Sequence, residues 1–511
     1  MNPEQQIIWF GDERISGAAL RERAARAASG LQDLGVQRGD TVAVVLRNEP
    51  VYLELMLALG QLGAHLVAVN WHFQPTEAGF VLRDCGARVL VAHADLLPPL
   101  RAVIPGDVTV IAVPTPEPMR LAYGLGVTEA PPDVLVWREW RDRFEPNTQP
   151  AVPSPGSMLY TSGTTGSPKA VMRLPGTPRQ HEGAMRVRAW ASQAREGMRT
   201  AMVGPLYHAG PNSAARVALE KAELIHVMPR FDALELLDSI QTHRLTHLSL
   251  VPVMLVRLLK LPVEVRSAYD VSSMENVTHG GSPCAPDVKR ALIEWWGPII
   301  SETYGSTEAG LVTHASAQEW LERPGTVGRA FPGTSIRILD EQGAALPPGA
   351  VGEIYMNPGD NALPFTYRNN DAQRRAIERD GHFSNGDVGY LDAEGYLFVT
   401  DRKRDMVISG GVNIYPAEVE HALMACPEVA DCAVFGIPDA EFGEALAAAV
   451  VAMPGHAPTD QSLRGWLRSR LAGYKVPKVF EMRESLPRES MGKVFKNELR
   501  APYWQHVGRR I

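Results

Sequence analysis

Ser157 to Lys169 reads SMLYTSGTTGSPK. A short apolar run reads as a buried strand, and it empties at Thr161 into a segment of small hydroxyl residues, two glycines (Gly163, Gly166) and one lysine. Glycine lets the backbone fold so that successive N–H groups point inward and form an anion nest. Thr161, Ser162, Thr164 and Thr165 add hydroxyl donors, and Lys169 adds a positive charge. A polyphosphate needs that combination. No G-x-x-x-x-G-K-S/T frame occurs in the chain, so the segment is not a Walker A loop. A Ser/Thr/Gly cluster by itself also fits a plain surface turn. The strand before it and the lysine closing it favour the phosphate loop.

Upstream of this segment, strands and helices alternate. Ala18 to Leu34 has helical spacing, with Gly35 placed to end it. Thr41 to Leu46 (TVAVVL) is a near-continuous β-branched run, as in a strand buried on both faces. Tyr52 to Leu62 reads as a helix, and His65–Val69 and Ala87–Ala92 read as strands. The alternation predicts an α/β fold with a mainly parallel sheet and right-handed crossovers. Prolines from Pro114 to Pro155 mark an interval expected to be a surface excursion.

Downstream, from Gly325 to Tyr396, the texture changes to short strands and Gly/Pro turns; SIRILDEQGAALPPGAVGEIYM predicts a hairpin. A smaller α+β unit follows from about Lys403. Its helices are expected at Pro416–Met424 and Ser462–Leu471, and its strands at Val429–Phe435 and Ala447–Ala452. With 511 residues, a rule of roughly 150 residues per domain gives about three units.

Composition excludes several function classes. Apolar residues make up 45% and charged residues 21%, ordinary for a globular protein. A net charge of −7 argues against wholesale binding to nucleic acid or an anionic membrane, because both need a basic field. The four cysteines form no C-x-x-C pair and no disulfide framework. The start carries acids and no apolar core of signal-peptide length, and no run reaches a membrane span, so the cytoplasm is the expected compartment. His243 and His247 stand four apart on an expected helix, but no third ligand accompanies them, and a structural role is expected.

TSGTTGSPK resembles the signature loop of the adenylate-forming superfamily, which includes acyl-CoA synthetases, peptide adenylation domains and beetle luciferases. Other motifs similar to that family follow in order: PLYHAG (205–210), GGSP (280–283), ETYGSTE (302–308), NGDVG (385–389), DRKRDMVISGGVNIYPAE (401–418) and PRESMGKVFK (487–496). The resemblance implies a large N-terminal AMP-binding domain of α/β subdomains plus a small β subdomain (1–401), a hinge at 402–404 centred on Arg404, and a small mobile α+β C-terminal domain (405–511). It implies Mg²⁺, with ATP and coenzyme A as co-substrates.

The same resemblance assigns residues. Lys493 would stabilise charge in the adenylation transition state. Glu308 would hold Mg²⁺, and Thr307 would touch the adenylate phosphate. Tyr304 would lie against adenine, with a buried structural tyrosine as the alternative. Gly280, Gly281 and Ser282 would border adenine and the acid, with Glu302 and Gly305 in the neighbouring motif of the nucleotide site. Asp387 and Arg402 would bind ribose; His382 and Asn385 depart from the residues common beside them. His208 would lie between the acid and the thiol path, or else be a core histidine. Gly410 and Gly411 would line the coenzyme A tunnel.

By family position the acid should lie among Tyr207, His208, Val251, Pro252, His279, Gly280, Gly281 and Ala309. Gly305 stands where acetate enzymes place tryptophan, which implies a deeper cavity and a medium-to-long or bulky apolar acid. No G-x-S-x-G elbow occurs, so the expected intermediate is a noncovalent acyl-AMP. Two alternatives stay open: an acyl-AMP ligase that loads a carrier protein's phosphopantetheine, and a non-catalytic nucleotide-binding pseudoenzyme. Nothing in the chain excludes a homodimer.

Overall fold

The strand Thr41–Val45 is buried at every position because it lies inside a sheet, paired in parallel with His65–Ala68 on one side and Val89–His93 on the other. The computed structural model describes residues 4–161, 169–409, 412–489 and 492–505. Among these residues, three sheets carry the architecture. The eight-stranded sheet around Thr41–Val45 includes Ser157–Thr161 and, antiparallel to it, Lys169–Arg173. A fifteen-stranded sheet includes the parallel strands Met198–Met202, His247–Leu250, Asn276–Gly280 and Ile300–Ser306, then turns antiparallel through Gly310–Ala315 towards Tyr396–Arg402. A five-stranded sheet belongs to the smaller C-terminal unit.

Local chemistry sets the helices around these sheets. Gly17–Asp33 starts where the Ser16 side chain accepts from the Ala19 N–H, satisfying one orphan donor. Pro50–Leu62 opens on proline and stops at Gly63, whose φ of 67° suits glycine. These two helices pack against each other over the face of the first sheet, and Leu20, Leu31, Leu55 and Leu59 share its core.

Two expectations are corrected. The proline-rich interval is not merely a surface excursion. It contributes helix Glu117–Tyr123, edge strand Leu135–Val136 and helix Trp137–Arg141, and it seats Trp137 and Trp140 in the core at 2% and 3% exposure. The buried Glu54 accepts from the Trp137 ring N–H at 3.0 Å and from Arg141 at 2.9 Å, which ties the interval down. His243 and His247 do not share a helix. Helix Ala233–His243 ends at His243 because Arg244 turns to φ 49°, and His247 opens the strand His247–Leu250. Among the described residues, no helix is long and apolar enough to cross a membrane. The hairpin expected at 335–356 forms, with Ser335–Leu339 antiparallel to Gly352–Asn357.

The C-terminal unit packs Val419, Leu423, Val434, Val450 and Leu463 into its own core. It also meets the larger part directly. Lys260 donates to the Ala430 carbonyl at 2.8 Å, and the Ala417 N–H donates to the Asp401 carboxylate at 3.0 Å. A Cβ on Gly492 would come within 2.7 Å of Val253, so this turn sits almost on the helix Pro252–Leu259.

Candidate functional site

In open α/β sheets, ligands gather at the carboxyl ends of the parallel strands. Here Ser157–Thr161, Asn276–Gly280 and Ile300–Ser306 all end at one cavity of about 1840 Å³, and the segments following Met198–Met202 and His247–Leu250 supply Gly204, Tyr207, His208 and Val251. Thr161, Lys169, Thr307, Glu308, His208 and Lys493 all line it. Ser162, Gly163, Thr164 and Thr165 lie outside the described residues, as do Gly410 and Gly411.

The turn bearing Thr307 and Glu308 is held from behind. Arg173 donates to the Thr307 carbonyl at 2.6 Å and to the Glu308 carbonyl at 2.7 Å. The Glu308 carboxylate accepts from the Tyr367 hydroxyl at 3.0 Å. Burial lowers the Lys169 pKa, opposed by the nearby Glu308 charge. Among the described residues, no three His, Cys, Asp or Glu side chains cluster as a metal cage. Glu308 therefore offers one hard oxygen beside Lys169. That fits magnesium, which commonly takes one or two carboxylates and draws its other ligands from phosphate and water.

Lys493 comes from the C-terminal unit. The turn preceding it closes when the Gly492 N–H donates to the Glu489 carbonyl at 2.8 Å, with Gly492 at φ 86°. Burial, then repulsion from Arg402 and Arg404, pulls the Lys493 pKa down to about 8. The His208 pKa is brought to about 4, mainly by burial and further by His72 and Lys493, so its ring is neutral near pH 7. A neutral imidazole can orient a polar group without adding charge.

Asp387 is buried under three donors: the Tyr304 hydroxyl at 2.8 Å, the Asn385 amide at 2.9 Å and Arg402 Nε at 3.3 Å. Tyr304 thus spends its hydroxyl on Asp387. Asn385, the departure from the family pattern, helps orient the carboxylate instead of weakening the site. Arg402, Arg404 and Asn385 face the cavity, while Asp387 and Tyr304 stand immediately behind them.

Tyr207, Val251, His279, Gly280, Gly281 and Gly305 also line the cavity. Besides Asp387 and Tyr304, four expected residues do not, among them Pro252, which is buried at the start of its helix. Ala309 is fully buried in a core cluster with Val312 and Ile354, because it follows the turn and points away from the opening. Glu302 faces backwards, where Lys289 donates to it at 2.7 Å. Ser282 is half-buried beyond the Gly280–Gly281 edge. His279 stands 3.5 Å from Glu302, but burial and the Lys289 charge hold the imidazole neutral, so this is a contact and not an ion pair. Gly305 is required by packing as well as by space, since a Cβ there would meet the Gly310 carbonyl at 2.1 Å. A tryptophan at this position needs a different backbone.

The motifs gave no sign of Arg188 and Arg216. Both line the deep part of the cavity, from helices Pro178–Ala191 and Ala209–Lys221. In sequence they look like ordinary charged positions on surface helices. Only the packing of the two helices turns them inward.

Comparison with known proteins follows the same outline. Residues 1–362 match the model of the AMP-binding enzyme family, and residues 418–493 match its C-terminal domain. A feruloyl-CoA synthase from Amycolatopsis sp. is 34% identical over 98% of this chain and 96% of its own length. An indoleacetate–CoA ligase from Aromatoleum aromaticum is 33% identical over 98% and 95%. The crystal structure of ATP-bound MatB from Rhodopseudomonas palustris superposes with a TM-score of 0.84 at 28% identity, covering 100% of this chain and 98% of that one.

Proposed function

We propose that this chain, which belongs to the AMP-binding enzyme family, is an ATP-dependent acid–thiol ligase that makes an acyl-AMP and then an acyl-CoA. A carboxylate oxygen of the acid attacks the α-phosphorus of ATP, forming a mixed anhydride and releasing pyrophosphate. The thiol sulfur of coenzyme A then attacks the acyl carbon, gives up its proton and expels AMP.

The observation that carries this reading is Lys493. Its amine, from the C-terminal unit, faces the same cavity as Thr161, Lys169, Thr307, Glu308 and His208 from the larger part. In a water-poor site a fixed cation aimed at developing negative charge lowers the barrier far more than the same charge would in bulk water. Lys493 would neutralise the oxygens where carboxylate meets phosphorus. Lys169, Thr161 and the loop 162–168 would hold the phosphates, and Asp387 with Arg402 the ribose. Glu308 would hold a magnesium ion arriving with the nucleotide, whose charge would offset that of the polyphosphate.

For the second step Lys493 must leave. We assign the pivot to 402–404, around Arg404, between a domain at 1–401 and one at 405–511. Gly410 and Gly411 would then border the pantetheine path. The acid is proposed to be medium-to-long or bulky, with an apolar body, in keeping with Leu250, Val251, Val187 and Val217 along the cavity wall.

Pyrophosphate release over a panel of carboxylic acids, followed by thioester formation with free coenzyme A, tests the reading. Cleavage to ADP and orthophosphate would sink it. Thioester formed only on a carrier protein's phosphopantetheine would move the acceptor and leave the adenylation step intact.

A further inference from the structure

The deep end of the cavity holds two guanidinium groups that the adenylation chemistry does not use. Arg188 and Arg216 lie well inside the protein yet keep contact with the cavity's open space. Each guanidinium carries five N–H donors. Among the described residues, Arg188 spends one on the Met185 sulfur at 3.4 Å, and Arg216 spends one on the Ser157 hydroxyl at 3.0 Å. Neither makes an ion pair with any described residue. Glu220, the acid that feels both charges, is an exposed cavity residue one helical turn beyond Arg216 and offsets each of them only in part. Tyr52, the other acidic group near Arg216, is kept protonated by burial and brings no charge.

Burial lowers both pKa values, and repulsion from Arg188 adds to it at Arg216, which falls to about 10, while Glu220 opposes the shift at each. Buried guanidiniums ordinarily come with carboxylates, because an uncompensated charge out of water is costly. Arg21 and Arg173, the neighbouring arginines on the same cavity, are spent on carbonyl oxygens of Gly17, Leu219, Thr307, Glu308 and Leu363, and on Gln6. Arg188 and Arg216 are different. Each has one hydrogen bond to a described residue, and both line the cavity.

Two rulers give their depth. His208 caps the helix Ala209–Lys221, and Arg216 lies eight residues on, so its backbone is about 12 Å further along at about 1.5 Å per residue. Ser157, which receives the Arg216 bond, is four residues before Thr161 on its strand, or about 13 Å back from the phosphate end. An acid whose reacting carboxylate sits by His208 and Lys493 would lay its far end against these two groups.

We propose that Arg188 and Arg216 form a receptor for a second anionic group, so that the acid this enzyme activates carries a carboxylate at its far end. The inference rests on the ligase reading above and names its substrate class. Between the two charges the molecule is apolar, in keeping with Leu159, Leu250 and Val251 on the cavity wall. Fork-shaped guanidiniums suit a planar carboxylate, which can accept two parallel N–H bonds from each.

The test is pyrophosphate release by the unaltered enzyme over three series of acids matched in length, ending in methyl, hydroxyl or carboxylate. At the length that spans the cavity, the diacid should exceed the methyl-ended acid in kcat/KM by a factor on the order of 100, as expected for a hydrogen-bonded charge pair. Arg188→Met and Arg216→Met should each move that ratio towards one, and Arg216→Lys should restore part of it, with melting curves confirming that the variants fold. A methyl end preferred at every length overturns the inference while leaving the ligase reading intact. So does a hydroxyl end that matches the carboxylate, or a ratio unmoved in both folded methionine variants. An enzyme that releases pyrophosphate with no acid overturns both.

Discussion

Lys493 can neutralise a developing oxyanion only while it keeps its proton. Burial is the first cause of its low pKa, and Arg402 and Arg404 push the same way, while Glu489 and Asp405 oppose them. Below about pH 8 the amine is a cation, and above it the charge is lost. The adenylation kcat/KM, which reports the free enzyme, should therefore fall about tenfold per unit as pH rises past that point, and Lys493→Arg should flatten the fall. Lys493→Ala should slow pyrophosphate release by about 10²–10³ yet still convert supplied acyl-AMP to thioester. Equal damage to both half-reactions would sink the proposed division of labour. At this scale the gathering of Lys169, Glu308 and Lys493 on one cavity was readable from their motifs, whereas the glycine-rich segment 162–168 lies outside the described residues. Arg188 and Arg216 were not readable, since an arginine on a helix says nothing about what the opposite helix leaves empty. Ala309 was misread for a related reason: it sits one residue beyond a turn that reverses direction, and spacing alone does not tell which way the side chain faces.

Among the elements, the strand Ile300–Ser306 joins the site to the core behind it. Its outer end carries Gly305 beside the Gly310 backbone, and its inner end carries Glu302 against Lys289 of the helix Pro286–Trp296. Burial works against both charges, raising the Glu302 pKa and lowering that of Lys289, and each partner offsets that cost for the other. Removing one partner from such a pair typically costs about 3–5 kcal/mol. Lys289→Met should lower stability by that amount in denaturant melts, and Lys289→Met with Glu302→Leu should recover most of it. A single variant as stable as the parent would mean that the pair is solvated. Gly305→Ala should cost about 1–3 kcal/mol by overpacking, with a drop in Tm even when no substrate is present. Helices and buried strands were largely legible here; Pro416–Met424 forms with the expected bounds, since proline at its first turn and the apolar face agree. The two misreadings, the proline-rich interval and the His243–His247 pair, share a cause. Tryptophans seated from a distance and a single left-handed residue at Arg244 override local pattern.

For the whole molecule, the question is whether one arrangement of the C-terminal unit can serve both half-reactions. In this arrangement Gly492 lies against Val253, and a Cβ built on Gly492 would stand 2.9 Å from the Val253 Cβ. Natural disulfides span about 3.5–4.5 Å between Cβ atoms, so a Val253→Cys, Gly492→Cys pair needs a shift of under about 2 Å to close. The native cysteines will not compete readily: Cys85, Cys426 and Cys432 are buried, and burial pushes the Cys284 thiol up to about 12. Oxidation of the variant should fix Lys493 over the cavity. Acyl-AMP should then form in a single turnover and accumulate, with thioester formation slowed at least about 100-fold, and a reducing agent should restore both steps together. The Val253→Cys single variant controls for the loss of the valine itself. If the cross-linked enzyme turns over to thioester at the reduced rate, Lys493 need not leave, and a fixed site must admit the thiol by another path. If instead oxidation blocks pyrophosphate release, the arrangement with Gly492 on Val253 is not the one in which the acid is adenylated.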